Sequence, residues 1–277
     1  GVWLPQGVVI QEKLMRAVQR AGSNARVINT YYGDGVSPAL ASIGLAPYVS
    51  AGNLNHLIPR IRRAVAILAG GGARPEDVDV QLAGSHYLNT YVSKEGSARG
   101  APYGLCWALN GEKRSDITDE RIFAACGIPT VSGPERNWMI SSDVVRLMEL
   151  MLRRDGKTRA IHAPGPYGLT GGYPLLFENG EMRLDERTFS RSEMERINRD
   201  NLRHDGVEID SAGIHFTEEA RERMRTVFDF DYPKTLTVRE CEPFAGEIAA
   251  MIERHMKKTA ENGDVSPEQP RSLYGTA

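Results

Sequence analysis

Cysteine is scarce: the 277-residue chain has three, Cys106, Cys126 and Cys241. They are odd in number, far apart and in no metal-ligand spacing. That argues against a disulfide framework and a cysteine-based zinc site, and it fits a reducing compartment. No apolar run approaches the ~20 residues of a membrane span. No signal peptide is visible, so a cytoplasmic protein with no membrane partner is expected. Charge of one sign is not in excess either. Lys and Arg number 34, Asp and Glu 36, and the formal net charge is −2, which removes any global electrostatic case for nucleic acid. An initiator methionine is missing. The opening Gly1-Val2-Trp3-Leu4-Pro5-Gln6-Gly7 reads like an internal loop entering a helix, and the natural polypeptide is expected to begin earlier. Internal repeats are absent. The glycine-rich stretch from Gly165 to Pro174 has no following Lys-Ser/Thr and does not open a helix, which excludes a phosphate-binding P-loop. It reads as a crossing between strands.

What remains is an ordinary soluble composition, 41% hydrophobic and 25% charged. Residues 8–21 have the apolar spacing of an amphipathic helix. Residues 25–29 read as a short buried strand, 38–43 as a short helix and 48–50 as another strand. That order suggests a parallel α/β layer. A helix is expected over 54–68, a strand over 79–84 leading to Ser85-His86, and irregular strands over 102–110. Helices follow near 118–125 and 135–154, then strands near Ala160 and Leu175. Asn179-Gly180 signals a hairpin. Ser190-Arg191-Ser192-Glu193 is a capping box opening a helix. Helices near 217–227 and 239–257 close the ordered part, and 258–277 lack apolar periodicity.

Three clusters carry candidate chemistry. Asn29 ends the first strand, where open α/β sheets bind ligands, and its amide can both donate and accept. Gly52-Asn53-Leu54-Asn55 precedes Arg60 and Arg62. Asn53 or Asn55 can cap the helix, and Asn55 and Arg62 are seven apart and share a face. An arginine fork there suits a carboxylate. Gly84-Ser85-His86 places an imidazole at a strand end, able to take a proton from a hydroxyl. Each has a bland counterpart: an Asn in a turn, a solvated basic helix including Arg63, a structural histidine. His162, His204, His215 and His255 receive only the bland reading.

In this order the clusters resemble the lactate/malate dehydrogenase superfamily. Asn29-Thr30-Tyr31-Tyr32-Gly33-Asp34 stands for its Asn-Pro-x-Asp. Gly52-Asn53-Leu54-Asn55 with Pro59-Arg60-Ile61-Arg62 stands for its Gly-x-x-Leu-Asp-x-x-Arg-x-Arg, and Gly84-Ser85-His86-Tyr87 for its Gly-Glu-His-Gly. The resemblance covers roughly residues 7–257. It implies a catalytic His86, an Asn55 that orients it in place of the family's Asp, and Arg60 or Arg62 on the substrate carboxylate. Asn29 would lie near nicotinamide and substrate, and Thr130 and Ser132 near the pocket. The implied fold is α/β, a remnant of a parallel Rossmann-like sheet over 1–52 followed by an α+β substrate and catalytic domain over 53–257. Residues 258–277 are expected to be a disordered tail.

The implied activity is an NAD- or NADP-dependent oxidation of a small 2-hydroxy acid or related hydroxyl substrate. No metal is implied. The chain is expected to be a homo-oligomer, or to need a missing nucleotide-binding segment, because no Gly-x-Gly-x-x-Gly loop is present. Two readings compete. Family-4-like glycosidases share the fold and use NAD with a divalent metal, and Asn55-His56 matches their Asn-His pair. A non-catalytic, partner-dependent subunit is the other.

Overall fold

The computed structural model describes residues 1–127 and 136–261. The architecture is mixed α/β. Helix α1 (Leu4–Arg20) leads to β1 (Ile28–Asn29), α2 (Gly33–Ala41) and β2 (Val49–Ser50). A 3-10 turn, Asn53–His56, runs into α3 (Ile58–Ala69), then β3 (Val78–Ala83) and α4 (His86–Glu95). Strands β4 (Gly104–Leu109) and β5 (Glu112–Arg114) precede α5 (Asp119–Cys126) and α6 (Arg136–Leu152). Next come β6 (Arg159–Pro164), β7 (Gly172–Glu178), β8 (Glu181–Leu184) and α7 (Arg191–His204). The order ends with β9 (Val207–Asp210), β10 (Gly213–Phe216), α8 (Glu218–Phe228), β11 (Thr235–Leu236) and α9 (Cys241–Glu261).

Parallel pairing among the described residues is confined to β1 and β2, two residues each, with Asn29 opposite Ser50. The expected parallel layer is therefore only this pair. The remaining sheets are antiparallel, with orders β3-β4-β5, β6-β7-β8 and β11-β10-β9. The reason lies just after His86. The chain makes one helix, α4, and returns beside β3 in the opposite direction, with Gln81 opposite Cys106. An Asn-Gly turn at 110–111, both residues left-handed, then closes the β4–β5 hairpin.

The strand expected within 102–110 is β4. Helix α4 begins at His86, in a stretch to which the sequence pattern assigned no element. Ser85 is its extended N-cap and left-handed Gly96 its C-cap. Its aromatic and β-branched residues favour helix weakly, which hid it from the pattern. Helix α1 begins at Leu4 and α2 at Gly33, both earlier than expected. Helix α9 runs through Glu261, beyond the expected end at 257, and residues 262–277 lie outside the described set. No helix is long and apolar enough to cross a membrane, among the described residues.

Three apolar clusters hold these elements. In one, Leu4 and Val8 of α1 and Leu40 of α2 pack with Ile214, Phe244 and Ile248. Residues on both sides of the expected boundary at 52/53 thus share a core. The other two meet where β3 and β7 touch. There Gly84 and Gly172 form an isolated antiparallel bridge. A Cβ on Gly172 would stand 2.8 Å from Leu54 Cδ2 and 2.9 Å from the Gly84 carbonyl oxygen, closer than side chains come. Gly172→Ala should therefore cost about 1–3 kcal/mol of stability, read by urea denaturation. An unchanged midpoint would mean that the two backbones are not in contact.

Candidate active site

The crossing of β3 and β7 places His86. Past Gly84 the chain enters α4 with His86 as its first helical residue. Helix α7 lies alongside, and Asn198, Asn201 and Asp205 follow one another along one face of its course. Asn198 Nδ2 donates to the Gly172 carbonyl at 2.9 Å, and Asn201 Oδ1 accepts from Ser85 Oγ at 3.0 Å. Both asparagines are fully buried. Asp205, the C-cap of α7, then meets His86: Nδ1 lies 3.2 Å from Asp205 Oδ1. An ionised carboxylate only accepts, so Nδ1 carries the proton and Nε2 is left with its lone pair. Thr90 Oγ1 lies 3.4 Å from that nitrogen.

Two more residues complete the cluster. Tyr32 caps α2 in a left-handed conformation, φ 38°, uncommon outside glycine. Its ring stands edge-on to His86 with centroids 5.6 Å apart, and its hydroxyl donates to Asp205 Oδ2 at 3.1 Å. Asp34, in the first turn of α2, is fully buried. One of its oxygens accepts from Asn53 Nδ2, and the other, Oδ1, has no hydrogen-bond partner.

The charges are tuned in opposite directions. Burial pushes the Asp34 carboxyl up to about 6, helped by the charge of Asp205 and opposed by His86 and Asn53. Burial acts the same way on Asp205, whose side chain is 8% exposed, yet the charge and hydrogen bond of His86, with the Tyr32 hydroxyl, hold it below the usual carboxylate range. Burial disfavours the His86 imidazolium, but the charge and hydrogen bond of Asp205 and the charge of Asp34 outweigh it, against the Gly1 amine. The ring is held above 6.5. Burial and the two carboxylates push Tyr32 well above 10, so it stays a donor.

The expected site residues are divided by the turn at 53–56. Asn55 does not orient His86: its Nδ2 donates to Asp143 on α6, and Asp205 takes the orienting place. His56 Nε2 also lies 2.9 Å from Asp143 Oδ2. Neither Asn53 nor Asn55 caps α3, whose N-cap is Leu57. Asn29 is fully used locally. It bonds the backbone of Tyr31 both ways and donates to Ser50 Oγ at 3.2 Å. Arg60 Nη1 donates to the Cys126 carbonyl at 3.3 Å. Arg62 has a buried Nε with no hydrogen-bond partner, and burial with the neighbouring Arg146 lowers its pKa. Thr130 and Ser132 lie outside the described residues.

Asp205, Asp34, Tyr32 and Asn53 were not singled out for this chemistry from sequence. Asp34 stood in a quoted motif, and the Asn198, Asn201, Asp205 spacing was the signal that went unused.

No family model, curated protein or solved structure matches the chain. The chemistry therefore rests on the geometry. Among the described residues no three His, Cys, Asp or Glu side chains are placed to hold a metal. A dinucleotide pyrophosphate does not fit the start of α2 either. A Cβ on Gly33 would stand 2.3 Å from Ser50 Cβ and 3.1 Å from Pro164, so the turn has no open approach. The buried Asp34 carboxyl in that first turn opposes a phosphate as well.

Two outcomes follow. Asp205→Asn should lower the His86 pKa, read by NMR titration of the ring; an unchanged value would deny the pairing. Asp34 binds its proton more tightly folded than unfolded. Its contribution to stability is present below pH 3.8 and lost as pH rises through about 6. That difference amounts to about 3 kcal/mol. Asp34→Asn should accordingly be more stable than wild type at pH 7.5 and match it near pH 3.5. Equal stability at both pH values would show that Asp34 is not buried as a charge.

Proposed function

We propose that the chain carries the proton-transferring, substrate-side centre of an NAD- or NADP-dependent oxidoreductase acting on the hydroxyl of a small 2-hydroxy acid or related substrate. The observation that carries the proposal is the His86–Asp205 pair. Nδ1 is engaged by Asp205, so neutral Nε2 is the atom to take a hydroxyl proton. The imidazolium that results is held by the Asp205 charge, whose second oxygen is steadied by Tyr32. Bound nicotinamide would supply the hydride acceptor in this reading. Because the start of α2 leaves no room for a pyrophosphate, nothing beyond the proton transfer is derived. Arg62 is the better carboxylate candidate: it is half-buried, has a buried Nε with no hydrogen-bond partner and no ion pair among the described residues, and lies beside a second cation, Arg146. Arg60 is turned to the Cys126 carbonyl.

The glycosidase alternative is distinguished by what it requires: metal-dependent cleavage of an aryl glycoside in the presence of NAD would select that reading.

The test is turnover of a panel of 2-hydroxy acids with NAD and NADP. His86→Asn should lower kcat at least about a hundredfold with the fold intact; near-normal turnover would remove His86 from the reaction. The rate should rise with pH through a midpoint above 6.5, since the neutral ring is the active form and Asp205 and Asp34 raise its pKa against the Gly1 amine. Asp205→Asn should move that midpoint down. Arg62→Lys should raise KM and Arg60→Lys should not; no effect from either would remove the 2-hydroxy acid from the proposal.

A further inference from the structure

One concave space is lined by residues remote from His86. It is a trough of about 650 Å³ beside β8 and the link into α7, a volume ordinary for a small-molecule site. Its floor is apolar, formed by Leu169, Met182, Leu184 and the ring of Tyr167. Tyr167 is 50% exposed and held left-handed at φ 53°, against the preference of a bulky side chain. Its hydroxyl donates to the Met182 carbonyl, and its ring packs edge-on to Tyr48 with centroids 5.4 Å apart. Those contacts fix a half-exposed aromatic ring inside the trough.

The rim is cationic. Arg187 grips Asp185 with two hydrogen bonds, Nε to Oδ1 at 2.7 Å and Nη2 to Oδ2 at 2.5 Å. The Asp185 side chain is only 2% exposed and also accepts from Gln81 Nε2, so the guanidinium is anchored from below while 56% of the Arg187 side chain stays exposed. The Arg191 side chain makes a single hydrogen bond among the described residues, Nε to Glu195 Oε1 at 2.6 Å, one helical turn along α7. Arg183 has no hydrogen bond or ion pair among the described residues. The one carboxylate in the lining, Glu186, accepts the Arg191 backbone N–H. Single exposed arginines on a surface are commonplace. An anchored guanidinium, a singly bonded second and an unpaired third around an exposed apolar floor call for an oxyanion attached to a flat apolar body.

We propose that this trough binds a small organic anion, with its ring against Tyr167 and its phosphate or carboxylate on Arg183 and Arg187. The site is independent of the His86 reading and shares no residue with it. The test is calorimetric titration of the full chain with 1-naphthyl phosphate, 1-naphthoate, 1-naphthol and inorganic phosphate. Both naphthyl anions should bind, the phosphate more tightly, and each at least tenfold more tightly than 1-naphthol or inorganic phosphate. Arg183→Glu, at an exposed and unpaired position, should weaken both anions at least tenfold without changing Tm, and Arg183→Lys should retain most of the affinity. His86→Asn should leave binding unchanged. Equal affinity for inorganic phosphate or for 1-naphthol, no binding at all, or indifference to Arg183→Glu would each overturn the proposal.

Discussion

The close approach of Gly84 and Gly172 is the constraint on which the candidate site depends. The two residues exchange backbone hydrogen bonds, 2.8 Å in one direction and 3.4 Å in the other. Glycine is needed at 172, because a Cβ there would strike Leu54 and the Gly84 carbonyl oxygen. The crossing ends β3, turns the chain into α4 and so aims His86. It also recruits α7, because Asn198 satisfies the Gly172 carbonyl and Asn201 the Ser85 hydroxyl. A buried asparagine is costly unless bonded, so these bonds lock the rotation of α7. The residue one turn further on, Asp205, is delivered to His86 as a consequence. The pair joins positions 119 apart in sequence through a register set elsewhere.

The electrostatics follow from that geometry. Two largely buried carboxyls stand close to a partly exposed imidazole, and their charges compete. His86 and Tyr32 resolve the conflict by favouring ionised Asp205, which leaves Asp34 the one that keeps its proton to about pH 6. A buried carboxyl with an unbonded oxygen is a liability for folding. Its presence beside a histidine that is hydrogen-bonded to a second carboxylate makes this cluster a candidate site.

Sequence pattern carried much of the helical framework. Ser190 does cap α7, its Oγ accepting from the Glu193 N–H, the Asn-Gly at 179–180 does turn β7 into β8, and the amphipathic stretches became α1, α8 and α9. Pairing direction was not legible. Short strands such as Ile28–Asn29 and Val78–Ala83 look alike locally, and only the return path of the chain makes the first parallel and the second antiparallel. The hairpin of β9 and β10 was missed because its strands are four residues each and flanked by helix signals. For the site, His86 was legible from Gly-x-His after a strand. Its partner was not, because Asp205 lies 119 positions away and no local pattern links the two. Asn29 was legible as a strand-end amide, but its bonds to Tyr31 and Ser50 are those of a turn that sets the path to Tyr32.

The central claim is that Asp205 holds the Nδ1 proton of His86 and leaves Nε2 as the base. Nitrogen-15 NMR of the His86 ring, recorded above its pKa, reads the tautomer directly. The account predicts the Nδ1–H form, with Nε2 unprotonated, and a shift toward the Nε2–H form in Asp205→Asn. A ring that carries its proton on Nε2 in the wild-type protein would contradict it.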